Sequence, residues 1–190
     1  MAKQLINKNI LLLSIMLLGL QAVAVTHKEL IHIDNIIKEQ CNINMRDDCK
    51  LYINKDDDSI NAYSLIDGRI VISQGIINTF NKNELLAVTL HECGHMVNRD
   101  PETVAYIAVH YPHIVDSKYY RHKIEYKADL FASNYFYSRC QHNYIYDAFK
   151  KLNKADWNKE SNTHPSLNNR IKNIQKYEKF YVTKCKYINK

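Results

Sequence analysis

Glycine and proline are scarce in this 190-residue chain, at 4 and 3 residues. Long flexible linkers are therefore not expected. The chain holds no internal repeat and no low-complexity segment, which argues against solenoids and disordered arrays. Beyond the N-terminus no apolar run reaches the roughly 20 residues of a membrane-spanning helix. No nucleic-acid-binding motif accompanies the basic residues. What remains is the profile of one globular domain, 46% apolar and 24% charged, long enough to bury a core.

The N-terminus reads as a targeting segment. Lys3 and Lys8 precede the apolar stretch Ile10 to Val25, 16 residues that include Ser14, Gly19 and Gln21. Ala22-Val23-Ala24 then offers small residues to a signal peptidase. Residues 1–24 are expected to be a signal peptide and residues 25–190 the working domain. An uncleaved anchor in the inner membrane is the alternative. Either arrangement places the domain outside the cytoplasm, periplasmic or secreted.

Removing residues 1–24 lowers the formal charge from +6 to +4. Part of that charge sits in the C-terminal tail at Lys176, Lys179, Lys184, Lys186 and Lys190. A solvated helix face is expected there, and peripheral association with an anionic membrane is left open. Five cysteines suit an exported protein with disulfides. Cys41 with Cys49 and Cys140 with Cys185 are pairings that the spacing allows, with Cys93 left over. Other pairings, or five reduced thiols, stay open at this level.

Periodicity predicts an α+β, mostly helical domain with one small antiparallel sheet. Thr26 to Glu39 reads as an amphipathic helix with Leu30, Ile33 and Ile37 on one face. Leu51–Asn54, Ile60–Leu65 and Arg69–Ser73 read as strands, the last two joined by the hairpin signal Asp67-Gly68. A helix capped by Asn81 or Asn83 should run from Glu84 to about Asn98, with Leu85, Leu86, Val88 and Thr89 facing a core. Asp100-Pro101-Glu102 and Tyr111-Pro112 mark breaks. Asp116-Ser117 should cap a helix from about Lys118 to Cys140. Another follows from His142 to Leu152, then a polar loop from Asn153 to Thr163. The last helix should run from Ser166 to about Tyr181, with Leu167, Ile171, Ile174 and Tyr177 in register.

Chemistry concentrates at His91-Glu92-Cys93-Gly94-His95. Two histidines four apart share one helix face, one turn apart, which makes half of a zinc site. Glu92 is rotated about 100° from His91, so it can reach a metal's water without being a ligand, as a general base must. Gly94 costs about 1 kcal/mol in a helix interior, which suggests a close approach there. A catalytic zinc keeps three protein ligands, so a third should come from another helix. Glu125 is the candidate in Glu125-Tyr126-Lys127-Ala128-Asp129. Asp129, one turn on, can hydrogen-bond a ligand imidazole.

These residues, in this order, resemble metallopeptidase family forty-eight. That is the gluzincin group of the heat-shock protease HtpX, the CAAX prenyl endopeptidases and the periplasmic protease/chaperone BepA. Leu86 to His95 is similar to its H-E-x-x-H helix, and Glu125 to Asp129 to its E-x-x-A-D block. His164-Pro165-Ser166 through Arg170-Ile171 is similar to its H-P-x-x-x-x-R-I block. The resemblance spans about Asn61 to Ile171.

It implies a zincin-like gluzincin domain that binds one Zn2+ through His91, His95 and Glu125 and cuts polypeptides. Glu92 would be the general base. His164 would stabilise the oxyanion or regulate access, and Arg170 would organise the site. Asn61, Ala62, Tyr63 and Ser64 would accept the substrate backbone by strand addition. Simpler roles stay open for His164, as a residue at a helix start, and for Arg170, as a surface ion pair. Only thirty residues separate His95 from Glu125, which leaves no room for membrane hairpins. A minimal soluble member is expected, working in envelope protein quality control. A gated or chaperone-like client-binding protein is the alternative. Cys93 is expected to face the core as a small apolar filler.

Overall fold

The computed structural model describes residues 25–115, 117–154 and 159–188. The expected signal peptide, Asp116 of the expected cap, part of the 153–163 loop and Lys190 lie outside the described residues. Helix α1 spans His27–Ile43, opened by a reciprocal capping box in which Thr26 accepts from Glu29 N and Glu29 accepts from Thr26 N. Its buried face is Ile33, Ile36, Ile37 and Cys41. Strands follow at Lys50–Asn54 (β1), Ala62–Ser64 (β2) and Arg69–Ser73 (β3).

The β2–β3 hairpin forms as expected, antiparallel with Tyr63 opposite Val71. Gly68 takes φ +89°, a conformation that favours glycine at this turn. The sheet is not antiparallel throughout, however. Its order is β1-β3-β2, and β1 pairs parallel to β3 with Tyr52 opposite Val71. The chain does reverse between β1 and β2, but β3 slots between them. As the central strand, β3 buries Ile70, Val71, Ile72 and Ser73, which suits a strand with neighbours on both edges.

Ser73 then caps the short helix α2, Gln74–Thr79, by accepting from Ile76 N. Asn81, not Asn83, caps α3, Lys82–Val97, in a second capping box with Glu84. Helix α3 is buried almost all round, from Glu84 to Met96. It is the central rod of the domain, packed by α1, by the sheet and by three of the helices that follow, those at Asp100–His110, Lys118–Tyr137 and Ile145–Lys154. The helices after α3 are α4 (Asp100–His110), α5 (Pro112–Val115), α6 (Lys118–Tyr137), α7 (Ile145–Lys154) and α8 (Leu167–Ile188). Val88 is only partly buried: it packs against the core and also lines a cavity. Glu84 is buried too, and Lys151 Nζ meets it at 2.5 Å, so the charge does not go unpaired.

Ser117 stands at the cap of α6 but makes no capping bond with its side chain. Helix α8 runs past the expected end at Tyr181 to Ile188, and Tyr177 is 45% exposed, off the buried face of Leu167 and Ile174. Cys41–Cys49 and Cys140–Cys185 are disulfides. They close separations of 8 and 45 residues, worth about 2.5 and about 4 kcal/mol in the chain-entropy account. The second ties the end of α6 to α8, and so helps hold two helices that carry site residues. No helix among the described residues is long and apolar enough to cross a membrane.

Candidate metal centre

Helix α3 presents His91 and His95 on one face, and α6 brings Glu125 up to them. The approach is close because Gly94 has no side chain. A Cβ there would lie 2.9 Å from Ala128 Cα and 3.0 Å from Phe131 Cβ. The glycine that weakens the helix locally is what lets α3 and α6 touch. The ligating atoms of His91, His95 and Glu125 all fall within 4.8 Å of one another.

Their separations bear on what they hold. His91 Nε2 is 3.2 Å from His95 Nε2, and each is 3.5 Å from an oxygen of Glu125. Ligands about 2.1 Å from one tetrahedral ion lie about 3.4 Å apart. Glu125 Oε2 is buried with no hydrogen-bond partner; the nearby His91 and Arg170 nitrogens, at 3.5 and 3.3 Å, are poorly aligned. A buried carboxylate oxygen without a hydrogen bond is costly unless a cation completes it. Two nitrogens and one oxygen are also a donor set that suits zinc. The residues present fit the metal.

Both imidazoles are held from behind. His91 Nδ1 lies 3.0 Å from Asp129 Oδ1, and His95 Nδ1 lies 2.9 Å from Asp100 Oδ2. A carboxylate on Nδ1–H turns the Nε2 lone pair toward the cluster. Arg170 Nη2 also lies 3.2 Å from His91 Nδ1. That nitrogen cannot both donate to Asp129 and accept from Arg170, and the shorter carboxylate contact sets the tautomer. The Asp129 pairing matches the sequence expectation. Asp100 was read only as a helix start. It reaches His95 because Arg99 takes φ +57° at the break and turns the chain back. An acid directly after such a break, five residues from His95, is the signal in the sequence that could have found it.

Arg170 is buried and not a surface residue. Its Nε and Nη2 donate to Asp129 at 2.8 and 2.5 Å, and Nη1 lies 3.3 Å from Glu125. Burial alone would raise the Glu125 carboxyl, but Arg170 and the two imidazoles hold it well below the usual carboxylate range. Burial likewise disfavours a charged His95, yet Asp100 and Glu125 outweigh it and push the imidazole up to about 10. His91 moves the same way, with Asp129 and Glu125 overcoming burial and Arg170. Glu92, Asp100, Glu125 and Asp129 thus make a negative field, the field a divalent cation would neutralise.

Glu92 lines the cavity beside the two histidines, together with His164, Arg170 and the stretch Asn61 to Ser64. The loop before α8 brings in His164. Thr163 Oγ1 lies 2.8 Å from His164 Nδ1, and His164 Nε2 lies 3.6 Å from Glu125 Oε1. Lost solvent and nearby Arg170 lower the His164 pKa, against Glu125. Cys93 points away, into the core, 3.4 Å from Cys41 Sγ. Burial pushes its thiol up to about 12, so it is a poor ligand and a poor nucleophile.

The model of Peptidase family M48 matches residues 25–115 and 105–178. The chain belongs to peptidase family M48. The three resemblance blocks fall inside those matches. The family is zinc-dependent, in keeping with the donor set, and its members' substrates are polypeptides. No curated protein matches the chain closely enough to name a relative.

Asp100 generates a prediction for this M48 site. Asp100→Ala leaves the three donors in place but frees His95 to rotate. Zinc affinity, measured by competition with a chromophoric chelator, should fall about 10- to 100-fold. An unchanged affinity would show that Asp100 does not orient the ligand.

Proposed function

We propose that the chain is a zinc-dependent endopeptidase, with His91, His95 and Glu125 as ligands of one zinc ion. The observation that carries this reading is the cluster of two imidazoles and an unsatisfied buried carboxylate at tetrahedral separations. A zinc ion held there supplies Lewis acidity, which acidifies water and polarises a carbonyl oxygen.

The chain's own residues do the rest. Among the described residues, edge strand β2 has a strand partner only on its β3 side, so Asn61, Ala62, Tyr63 and Ser64 can take a substrate main chain as an added strand. Glu92 receives the proton of the attacking water and returns it to the leaving amine. Thr163 O–H donating to His164 Nδ1 leaves Nε2–H free to donate to the developing oxyanion. Asp129 and Asp100 hold the imidazoles, and Arg170 holds Asp129 and Glu125. The domain is zincin-like in this reading, with α3 as its H-E-x-x-H helix.

Residues 1–24 are proposed as its signal peptide, with the domain acting outside the cytoplasm in envelope protein quality control. Two disulfides support an oxidising compartment. Anchoring by an uncleaved N-terminal segment is the alternative. A second functional reading, a gated or client-binding protein with little stand-alone proteolysis, is favoured by one observation. His164 Nε2 sits over the donor cluster, 3.6 Å from Glu125, where it can stand in the way of substrate.

Glu92→Gln should lower cleavage of an unfolded protein substrate by about 10²-fold or more, with zinc content by atomic absorption unchanged. Wild-type cleavage rates in that variant would end the general-base assignment. His164→Ala separates the two readings in the same assay. A lower turnover is expected from loss of the oxyanion donor, whereas a rise in basal turnover would mark His164 as a gate.

A further inference from the structure

One face of α6 carries more than the metal ligand. Lys118, His122, Glu125 and Asp129 recur at i, i+4, i+7 and i+11, so they stand in one row along the helix. The chain leading into α8 meets that row rung by rung, in the same order. Glu160 pairs with Lys118 Nζ. His122 Nε2–H donates to Ser161 O at 2.9 Å. His164 Nε2 lies 3.6 Å from Glu125 Oε1, and Arg170 donates to Asp129. The last two rungs belong to the site already described. The first two do not, and neither Lys118 nor His122 lines the cavity.

Between Ser161 and His164 the chain closes on itself. Ser161 N–H donates to His164 O at 2.9 Å, and His164 N–H donates to Ser161 Oγ at 2.9 Å. The two residues therefore move as one unit, and a bond that fixes Ser161 O also fixes the His164 imidazole. That matters because residues 159–166 form no helix or strand. An irregular segment with few buried contacts opens at little cost unless it is tied down, and the His164 side chain is 55% exposed. The two outer rungs differ in strength. The Lys118–Glu160 pair is exposed, shared with Asn169 Nδ2 at 3.3 Å from Glu160 Oε2, and such surface pairs contribute little. His122 is half-buried and binds a main-chain oxygen, which makes it the firmer tie.

We infer that His122 is a positioning residue: by holding Ser161 O it sets His164 against Glu125, with the Lys118–Glu160 pair as an outer support. The inference rests on the peptidase reading for what His164 does once it is there. It holds whether His164 donates to the oxyanion or stands in the way of substrate, because both roles need the imidazole at one place over the donors. Helix α6 thus supplies a metal ligand and also fixes the histidine that faces that ligand.

The test uses the full-length, zinc-loaded chain. His122→Ala should move kcat on an unfolded protein substrate in the same direction as His164→Ala, by about tenfold, with KM little changed. Added to His164→Ala, it should change kcat by no more than about twofold. His122→Gln, whose side-chain amide can donate to Ser161 O, should restore the wild-type value. His122→Leu keeps the bulk without the donor and carries the test if the alanine variant does not fold. A second readout needs no catalysis. Hydrogen exchange at the Ser161 and His164 amides should quicken about tenfold in His122→Ala, with the amides of α3 unchanged. An unchanged kcat, full additivity in the double variant, or unchanged exchange at both amides would overturn the positioning role and leave the peptidase reading standing. Quickened exchange with no cleavage by wild type would support the tie and sink the peptidase reading.

Discussion

The guanidinium of Arg170 lies buried between Asp129 and Glu125, and three helices meet at that point. Asp129 and Glu125 belong to α6 and Arg170 to α8, while His91 of α3 touches both Asp129 and Arg170. Burying one such charge unpaired would cost several kcal/mol, and removing one partner of a buried pair typically costs about 3–5 kcal/mol. The network is tolerable only when complete, so each helix has a single acceptable position relative to the others. The surrounding structure answers to that demand. Gly94 lets α3 meet α6, the Cys140–Cys185 disulfide ties the end of α6 to α8, and Arg46 clamps the end of α3 through Met96 O and reaches Glu102 of α4.

The same network decides the chemistry of the site. Arg170 keeps Glu125 ionised, yet it leaves one carboxylate oxygen without a hydrogen bond. Asp129 and Asp100 fix the imidazoles by Nδ1, so both Nε2 atoms face the Glu125 carboxylate, His91 toward the orphaned Oε2 and His95 toward Oε1. The arrangement costs stability in the polypeptide alone, since it gathers buried carboxylates around two imidazoles. A divalent cation held there would convert that cost into binding energy. Folding, metal affinity and the placement of Glu92 are therefore one problem and not three.

Much of this was legible in the sequence because it rests on short spacings. The i, i+4 intervals of His91 with His95 and of Glu125 with Asp129 put both pairs on helix faces, and Gly94 in mid-helix announced a close approach. Asn81 with Glu84 and Asp67-Gly68 marked a cap and a hairpin through local chemistry. What was not legible depends on long-range placement. The insertion of β3 between β1 and β2 has no local signal, so the mixed sheet was read as antiparallel. Asp100 reaches His95 only through the left-handed turn at Arg99, which periodicity does not register. Tyr177 lies off the buried face of α8 and is 45% exposed, while Glu178 and Tyr181 beside it meet Tyr146 and Tyr137.

The central claim is that two imidazoles and one carboxylate, and not a cysteine, hold the metal. X-ray absorption at the zinc edge of the zinc-loaded full-length chain tests it directly. The account predicts a shell of nitrogen and oxygen at about 2.0–2.2 Å, with the multiple scattering of two imidazoles and no sulfur. A sulfur shell at about 2.3 Å would place Cys93 or an opened disulfide at the metal, and would contradict the centre built from His91, His95 and Glu125.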